Sequence, residues 1–335
     1  MPSCPAPAVI VVGSYVQDLT WHCAAFPRAG ETTIGRFATG PGGKGSNQAV
    51  AAGRAGADTL FVGAVGDDAF AEVAARFYAE NGIAARFLPK PRHATGTAAI
   101  LVEDGGQNEI VVALGANAAL APRDLPSSLF HGARIVVTQL ETNLAAVAHT
   151  LRAARRAGAA TVLNPAPMRP DFDPALLRHV DILIPNETEF VALVNLLGLA
   201  STKRNTPYTE AALAAEKPDA LHALCQRLGP PAVIVTLGKR GCFVSQSTSM
   251  DNTNASGSFV FIPAYVVEAV DSTGAGDAFV GGFAAGFVKH RGDVLAAARQ
   301  GQAVAALSVT KFGTAPAMPT ARELTAFLKK RPARF

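Results

Sequence analysis

The chain of 335 residues is 49% hydrophobic and 17% charged, proportions that suit a globular protein with a large core and exclude extensive disorder. Its net charge is only +4 and the basic residues are scattered, so no nucleic-acid partner is indicated. The 4 cysteines lack any C-x-x-C spacing and give no disulfide framework. Apolar runs such as Phe190 to Ala200 are too short for a membrane span, so a soluble cytoplasmic protein with reduced, mostly buried thiols is expected.

Along the chain, short apolar runs alternate with amphipathic ones. Val9 to Val12 reads as the first strand, and Leu19 to Thr39 as β-prone residues alternating with polar ones around Gly-rich turns. Helix Ser46 to Ala55, strand Leu60 to Val62 and helix Ala69 to Asn81 follow, then a second alternating segment, Thr97 to Leu114. Strand Ile135 to Val137, helix Leu144 to Ala157, strands Thr161 to Leu163 and Ile182 to Ile184, helices Thr188 to Leu197 and Ala220 to Leu228, and strand Val233 to Thr236 continue the rhythm. Such alternation predicts an α/β fold with a mostly parallel central sheet, and the two alternating segments predict a small extra sheet acting as a lid. After Gly241 the pattern changes to hairpins around an exposed loop, Ser245 to Ser258, before helix Ala278 to Lys289. In the lid, Trp21 and Phe26 are expected to pack between sheets instead of stacking on a ligand.

Two glycine-rich stretches stand at helix N-termini. Gly40-Pro41-Gly42-Gly43-Lys44-Gly45-Ser46-Asn47 contains G-x-G-x-x-G, with Asp58 beyond it. The first strand turn, Val12-Gly13-Ser14-Tyr15, nevertheless lacks a dinucleotide fingerprint, and Gly45 stands where a Walker A loop needs Ser or Thr. That leaves a structural turn or a polar-ligand site, and Lys44 and Asn47 beside close-approach glycines favour a hydroxyl-rich ligand. In Asp271-Ser272-Thr273-Gly274-Ala275-Gly276-Asp277, small residues lead into a helix whose unpaired N–H groups and dipole make an anion cradle. Asp277, in the first turn, is either a base beside that anion or a carboxylate that stabilises the helix end.

In order and spacing these stretches resemble the two signatures of the ribokinase (phosphofructokinase-B) family of sugar kinases, the first continuing as Asn47-Gln48-Ala49 with Gly56 and Gly66. The similarity also runs through Gly13-Ser14, Gly63-Ala64-Val65-Gly66-Asp67-Asp68, Gly115-Ala116-Asn117, Asn164-Pro165-Ala166-Pro167, Pro185-Asn186-Glu187-Thr188-Glu189, Thr236-Leu237-Gly238 and Gly313. It implies a single three-layer α/β/α ribokinase-like domain over residues 1–335, with a small β-sheet lid from about 19–39 and 97–114. ATP, Mg²⁺ and K⁺ are the implied cofactors, and a sugar the substrate. A homodimer through the lid is expected, because a sheet standing off the main body exposes a face and edges that need cover.

The resemblance also assigns residues. Asp277 would be the general base that takes the proton of the sugar's primary hydroxyl as it attacks the γ-phosphate, with Gly274, Ala275 and Gly276 as the hole for negative charge. Asn186 and Glu189 match an N-x-x-E motif whose carboxylate places Mg²⁺ through water; capping of the helix after Ile184 is the structural alternative and is compatible with it. Thr236, Gly238 and Gly241 would line the nucleotide pocket, with Gln302 bordering the base. A monovalent cation would take main-chain oxygens of Asp271, Thr273, Ser308, Lys311 and Gly313 and the Asp271 carboxylate, although Ala317 stands where ribokinases often offer a serine.

Asp18, Gly42, Gly43, Lys44, Asn47 and Glu141 would hold the sugar, Lys44 and Glu141 being otherwise a structural ion pair. Where ribose-phosphorylating members read G-S-x-N-x-D, this chain reads Gly13-Ser14-Tyr15-Val16-Gln17-Asp18. Val16 cannot pair with a hydroxyl, and deoxyribokinases of the family also carry an apolar residue there, so 2-deoxy-D-ribose ranks beside or ahead of D-ribose. The competing readings are a nucleoside kinase of the same family, a non-catalytic sugar or nucleotide sensor, and a dinucleotide oxidoreductase built on Gly40 to Gly45.

Overall fold

The computed structural model describes residues 6–199, 207–247 and 257–331; Cys4 and most of the expected 245–258 loop lie outside them. Its strands are β1 (Val9–Val12), β2 (Val16–Cys23), β3 (Arg36–Gly42), β4 (Thr59–Val65), β5 (Ala84–Pro89), β6 (Gly96–Glu103), β7 (Asn108–Ala113), β8 (Ile135–Thr138), β9 (Ala160–Leu163), β10 (Ile182–Leu183), β11 (Ala232–Thr236), β12 (Gly241–Gln246) and β13 (Ser258–Pro263). The α-helices are α1 (Lys44–Arg54), α2 (Ala69–Glu80), α3 (Leu144–Arg156), α4 (Glu187–Leu196), α5 (Glu210–Ala215), α6 (Pro218–Leu228), α7 (Ala275–Lys289), α8 (Val294–Ser308) and α9 (Ala321–Lys330).

The main sheet runs β13-β12-β11-β10-β9-β8-β1-β4-β5. Every neighbouring pair from β5 to β11 is parallel, and β12 and β13 add antiparallel strands at one edge. Alternation along these strands builds one apolar core on one face of the sheet and two on the other. Val9, Val11, Ile135, Val137 and Ile234 pack with Ala49 of α1, Tyr78 of α2, Phe283 of α7 and Val304 of α8. The residues between them face the other way: Ile10, Val12 and Val136 join Phe130 and Ala146, while Val233 and Val235 join Val147 of α3, Phe190 of α4 and Cys225 of α6. Near-continuous apolar strands are what a parallel sheet covered on both faces requires, and each fully buried Val, Ile or Phe contributes about 1.5–3 kcal/mol of transfer free energy. The result is the expected three-layer α/β/α arrangement with a second, small sheet.

Differences from expectation are local. β4 runs on through Gly63, Ala64 and Val65, which pair with Phe87, Leu88 and Pro89 of β5. β5 itself escapes a sequence reading because Ala84, Ala85 and Arg86 have little β preference and Pro89 is tolerated only at such an edge. Helices α1 and α7 begin at Lys44 and Ala275, two and three residues ahead of expectation. Ser245, expected to open an exposed loop, is a fully buried residue of β12. Cys23, Cys225 and Cys242 are buried free thiols, and among the described residues no helix is long and apolar enough to cross a membrane.

The small sheet has the order β3-β2-β6-β7, with β2 and β6 parallel and the outer pairs antiparallel. It starts at Val16 and its second strand reaches Gly42, so it extends past the expected 19–39 segment at both ends. Trp21 lies opposite Phe37 on the neighbouring strand of the same sheet, with ring centroids 5.2 Å apart and 37% of its surface exposed, so it pairs within the sheet and not between sheets as expected.

Candidate active site

The site lies beyond the carboxyl ends of the parallel strands, the usual crevice of such sheets, where α1 and α7 both present their N-termini. Gly274 caps α7 in a left-handed conformation (φ 74°) that other residues rarely adopt, so Ala275, Gly276 and Asp277 occupy the first turn. The Ala275 N–H donates to Ser272 O at 3.2 Å, which leaves the anion-facing role to its neighbours. A methyl at Gly276 would meet nothing within 4 Å. Asp277 is only 7% exposed, and its carboxylate accepts from Asn47 Nδ2 at 3.0 Å and Gln48 Nε2 at 2.9 Å, both on α1.

The α1 glycines serve the protein's own packing. A Cβ at Gly45 would lie 2.6 Å from Gly13 C, one at Gly43 2.7 Å from Val16 N, and one at Gly42 2.2 Å from Asp18 Oδ2. Gly43 also needs its positive φ of 88°. Glu141 Oε2 accepts from Ser14 Oγ at 2.6 Å and from the Lys44 main-chain N–H at 2.9 Å, so this carboxylate stabilises the N-terminus of α1. Among the described residues no ion pair joins the Lys44 and Glu141 side chains. The Lys44 ammonium is pulled down by burial but held above its ordinary value by Asp277, Glu141 and Glu189. Val16 is buried at the start of β2, two residues before Asp18.

Asn186 and Glu189 form a reciprocal capping box on α4: Glu189 N–H donates to Asn186 Oδ1 at 2.8 Å, and Asn186 N–H to Glu189 Oε2 at 2.9 Å. Asn186 Nδ2 reaches Glu189 Oε1 at 3.0 Å, so the carboxylate keeps lone pairs for water and little else. Burial raises the Glu189 pKa, against the Asn186 main-chain bond and Lys44. Among the described residues no cluster of three or more His, Cys, Asp or Glu could hold a metal by itself. That donor set fits Mg²⁺ only as an ion that keeps most of its waters.

Two cavities meet here. One of about 690 Å³ is lined by Asn186, Thr236, Gly238, Gly241, Gly276 and Gln302, which brings the residues expected at the nucleotide together. The other, about 190 Å³, is lined by Lys44, Asn164, Glu189, Gly274 and Asp277, and shares Asn186, Thr236, Ser272, Ala275 and Gly276 with the first. At the expected cation site Asp271 Oδ1 accepts from Thr273 N–H at 2.9 Å and Oδ2 from Gly313 N–H at 3.0 Å. This carboxylate ties together the two segments whose carbonyls would bind K⁺. Ser308 O accepts from the Lys311 N–H at 3.1 Å, and Ala317 is buried without a hydroxyl. An all-oxygen set with one charge fits a large monovalent cation.

A model of the pfkB family of carbohydrate kinases matches residues 6–321. The chain belongs to this family. Ribokinase of Mus musculus is 36% identical over 325 residues, which cover 95% of this chain and 94% of the mouse protein. Deoxyribokinase of Salmonella typhi is 32% identical over 327 residues, 96% of this chain and 98% of its own. Among solved structures, ribokinase from Giardia lamblia matches with a TM-score of 0.84 at 30% identity, over 98% of this chain and 99% of that one. Arabidopsis thaliana ribokinase complexed with ribose and ATP matches with a TM-score of 0.78 at 28% identity, over 97% and 99%. The protein is thus a pfkB sugar kinase.

Several polar residues of this pfkB site received no role from the sequence: Ser14, Gln48 and Asn164, which stand inside the resembling stretches, and Gln139 and Thr314. Thr314 Oγ1 lies 3.5 Å from Asp18 Oδ2 and 3.4 Å from Pro41 O. Burial, then Glu141 and more weakly Asp277, push the Asp18 carboxyl from 3.8 up to about 7, against the Thr314 hydrogen bond. Between these two values the folded chain holds a proton that the unfolded chain has released, so Asp18 subtracts stability as pH rises from about 4 to 7. Asp18→Asn removes that term. In calorimetric scans the variant should melt above the wild type at pH 8, with the difference shrinking towards pH 4. A difference independent of pH would sink the assignment.

Proposed function

We propose that this sugar kinase transfers the γ-phosphoryl group of ATP to the 5-hydroxyl of a pentose, 2-deoxy-D-ribose or D-ribose, with Asp277 as general base. The observation that carries the reading is the place of Asp277: a buried carboxylate in the small cavity, one residue from Gly276, where that cavity opens into the larger cleft. A phosphate chain in the cleft would end at the first turn of α7, and a hydroxyl in the small cavity would face it in line. The hydroxyl proton passes to Asp277, the O5–P bond forms, and the bond from phosphorus to the β,γ-bridging oxygen breaks, leaving ADP. Gly274 and Gly276 would receive the spreading negative charge, the Ala275 N–H being engaged by Ser272 O, and Lys44, kept cationic by three carboxylates, would help to neutralise it. Glu189 and Asn186 would hold the hydration shell of Mg²⁺, which supplies further charge neutralisation when bound.

Asp18, Asn47 and Glu141 would orient the sugar. Asn47 Oδ1 is buried without a hydrogen-bond partner and can accept from a hydroxyl. Val16 offers only carbon, which suits a sugar lacking the 2-hydroxyl. In the small sheet Trp21 and Phe37, which pair with each other, share one face with Val111, opposite to Asp18, and are 37%, 56% and 73% exposed. That apolar face supports a homodimer joined through this sheet.

Asp277→Asn should lower kcat at least about 10²-fold and move ATP affinity by less than about threefold; retained turnover would remove the base. A phosphorylation screen of the wild type should give kcat/KM for deoxyribose at or above that for ribose, whether the salt is KCl or one of a large organic cation, with faster turnover in KCl. Val16→Asn should shift the ratio towards ribose by about tenfold. A wild type preferring ribose by about 10²-fold would defeat the deoxyribose reading. Sedimentation equilibrium should return twice the chain mass, and a monomer would exclude the dimer.

A further inference from the structure

Around Asp277 the buried amides form a directed chain. Gln48 and Gln139 are fully buried and Asn164 is 8% exposed. Asn164 Nδ2 donates to the main-chain Ile184 O at 2.8 Å. A carbonyl can only accept, so this bond fixes which end of the Asn164 amide is nitrogen and turns its Oδ1 towards α1. Gln48 Nε2 donates to that Oδ1 at 3.0 Å and, with its second proton, to Asp277 Oδ1 at 2.9 Å. Its Oε1 accepts from Gln139 Nε2 at 2.5 Å. Were the Gln48 amide reversed, its oxygen would face a carboxylate and an amide oxygen while its nitrogen faced the Gln139 nitrogen. Every contact would be lost at once.

The chain also reaches the second acidic group of the site, since Asn164 Nδ2 lies 3.5 Å from Glu189 Oε2. At its other end Gln139 Oε1 has no partner and occupies the space in front of Gly13, where a Cβ would lie 2.0 Å away. The polarity therefore begins at Ile184, just past β10, and ends as an N–H aimed at the carboxylate.

We infer that Gln48 is the positioning residue of the kinase reaction, holding Asp277 through an amide whose direction is set by Asn164 and Gln139. This rests on the reading of Asp277 as the base. A donor on Oδ1, with Asn47 on Oδ2, fixes the carboxylate plane and leaves the second lone pair of each oxygen for the sugar hydroxyl.

The test is steady-state kinetics with ATP and the better pentose substrate, with melting temperatures alongside. Gln48→Met, which keeps volume and removes both donors, should lower kcat about 10- to 100-fold while KM for ATP stays within about threefold. In an Asp277→Asn background the same change should alter the residual rate by less than about twofold, because no carboxylate remains to be aligned. Gln139→Met leaves the donors but frees the amide to turn, and should lower kcat by a smaller factor. The inference is overturned if Gln48→Met folds with kcat within about twofold of wild type, or if it costs as much in the Asp277→Asn background. Should Gln48→Met fail to fold, Gln139→Met decides, and an unchanged kcat overturns the role. Wild-type turnover in Asp277→Asn alone would instead remove the base itself, and this inference with it.

Discussion

The close crossing of α1 and α7 is the constraint on which the site depends. At Gly281 a Cβ would fall 2.3 Å from Gln48 O and 2.5 Å from the Ala51 methyl, so the two helices touch backbone to side chain with no room between them. That contact lies one turn below Asp277, and it brings Asn47 and Gln48 within hydrogen-bond reach of a carboxylate 229 residues away in sequence from Gln48. Both helices start at the same end of the parallel sheet, so their positive termini converge where the strands stop. The sheet holds this geometry rigid because both its faces are covered and its central strands β1, β8 and β9 are apolar but for Thr138 and Thr161.

The carboxylates gathered at this convergence are not equivalent. Glu141 is consumed in stabilising the first turn of α1 through Ser14 and the Lys44 N–H. Glu189 is committed to the α4 capping box. Asp18, partly buried and facing Glu141 and Asp277, holds its proton close to neutrality. Asp277 receives one side-chain amide donor on each oxygen, both from α1, and faces an opening. Lys44 sits among three of these acidic groups, and the structure distributes their work by hydrogen bonding instead of by charge pairing.

Much of the fold was legible because a parallel sheet writes itself as short β-branched runs: Val9–Val12, Ile135–Thr138 and Ala160–Leu163 need little else to be read. β5 was not, since Ala84, Ala85 and Arg86 are common in helices and the strand exists only because β4 pairs with it. The two glycine-rich turns were legible as site elements, although the reason for Gly43 and Gly45 turned out to be contact with the β1–β2 turn. Gln48 and Asn164 stand inside resembling stretches that assign them no role, and Gln139 lies outside them. Their partners stand 91 and 116 residues apart in sequence, and only folding shows that their amides share one line.

Gly276 differs from Gly43, Gly45 and Gly274, the other glycines at the starts of α1 and α7. Its φ is not positive, a side chain there would touch nothing in the protein, and glycine within a helix costs about 0.5–1 kcal/mol relative to alanine. Judged by stability alone the position is a defect with a simple repair. Substitution libraries ranked by melting temperature would favour alanine at 276, and libraries ranked by turnover would reject it. Under the proposed reaction the two rankings part at this one residue, because the atoms that would need the space belong to the substrate and not to the chain.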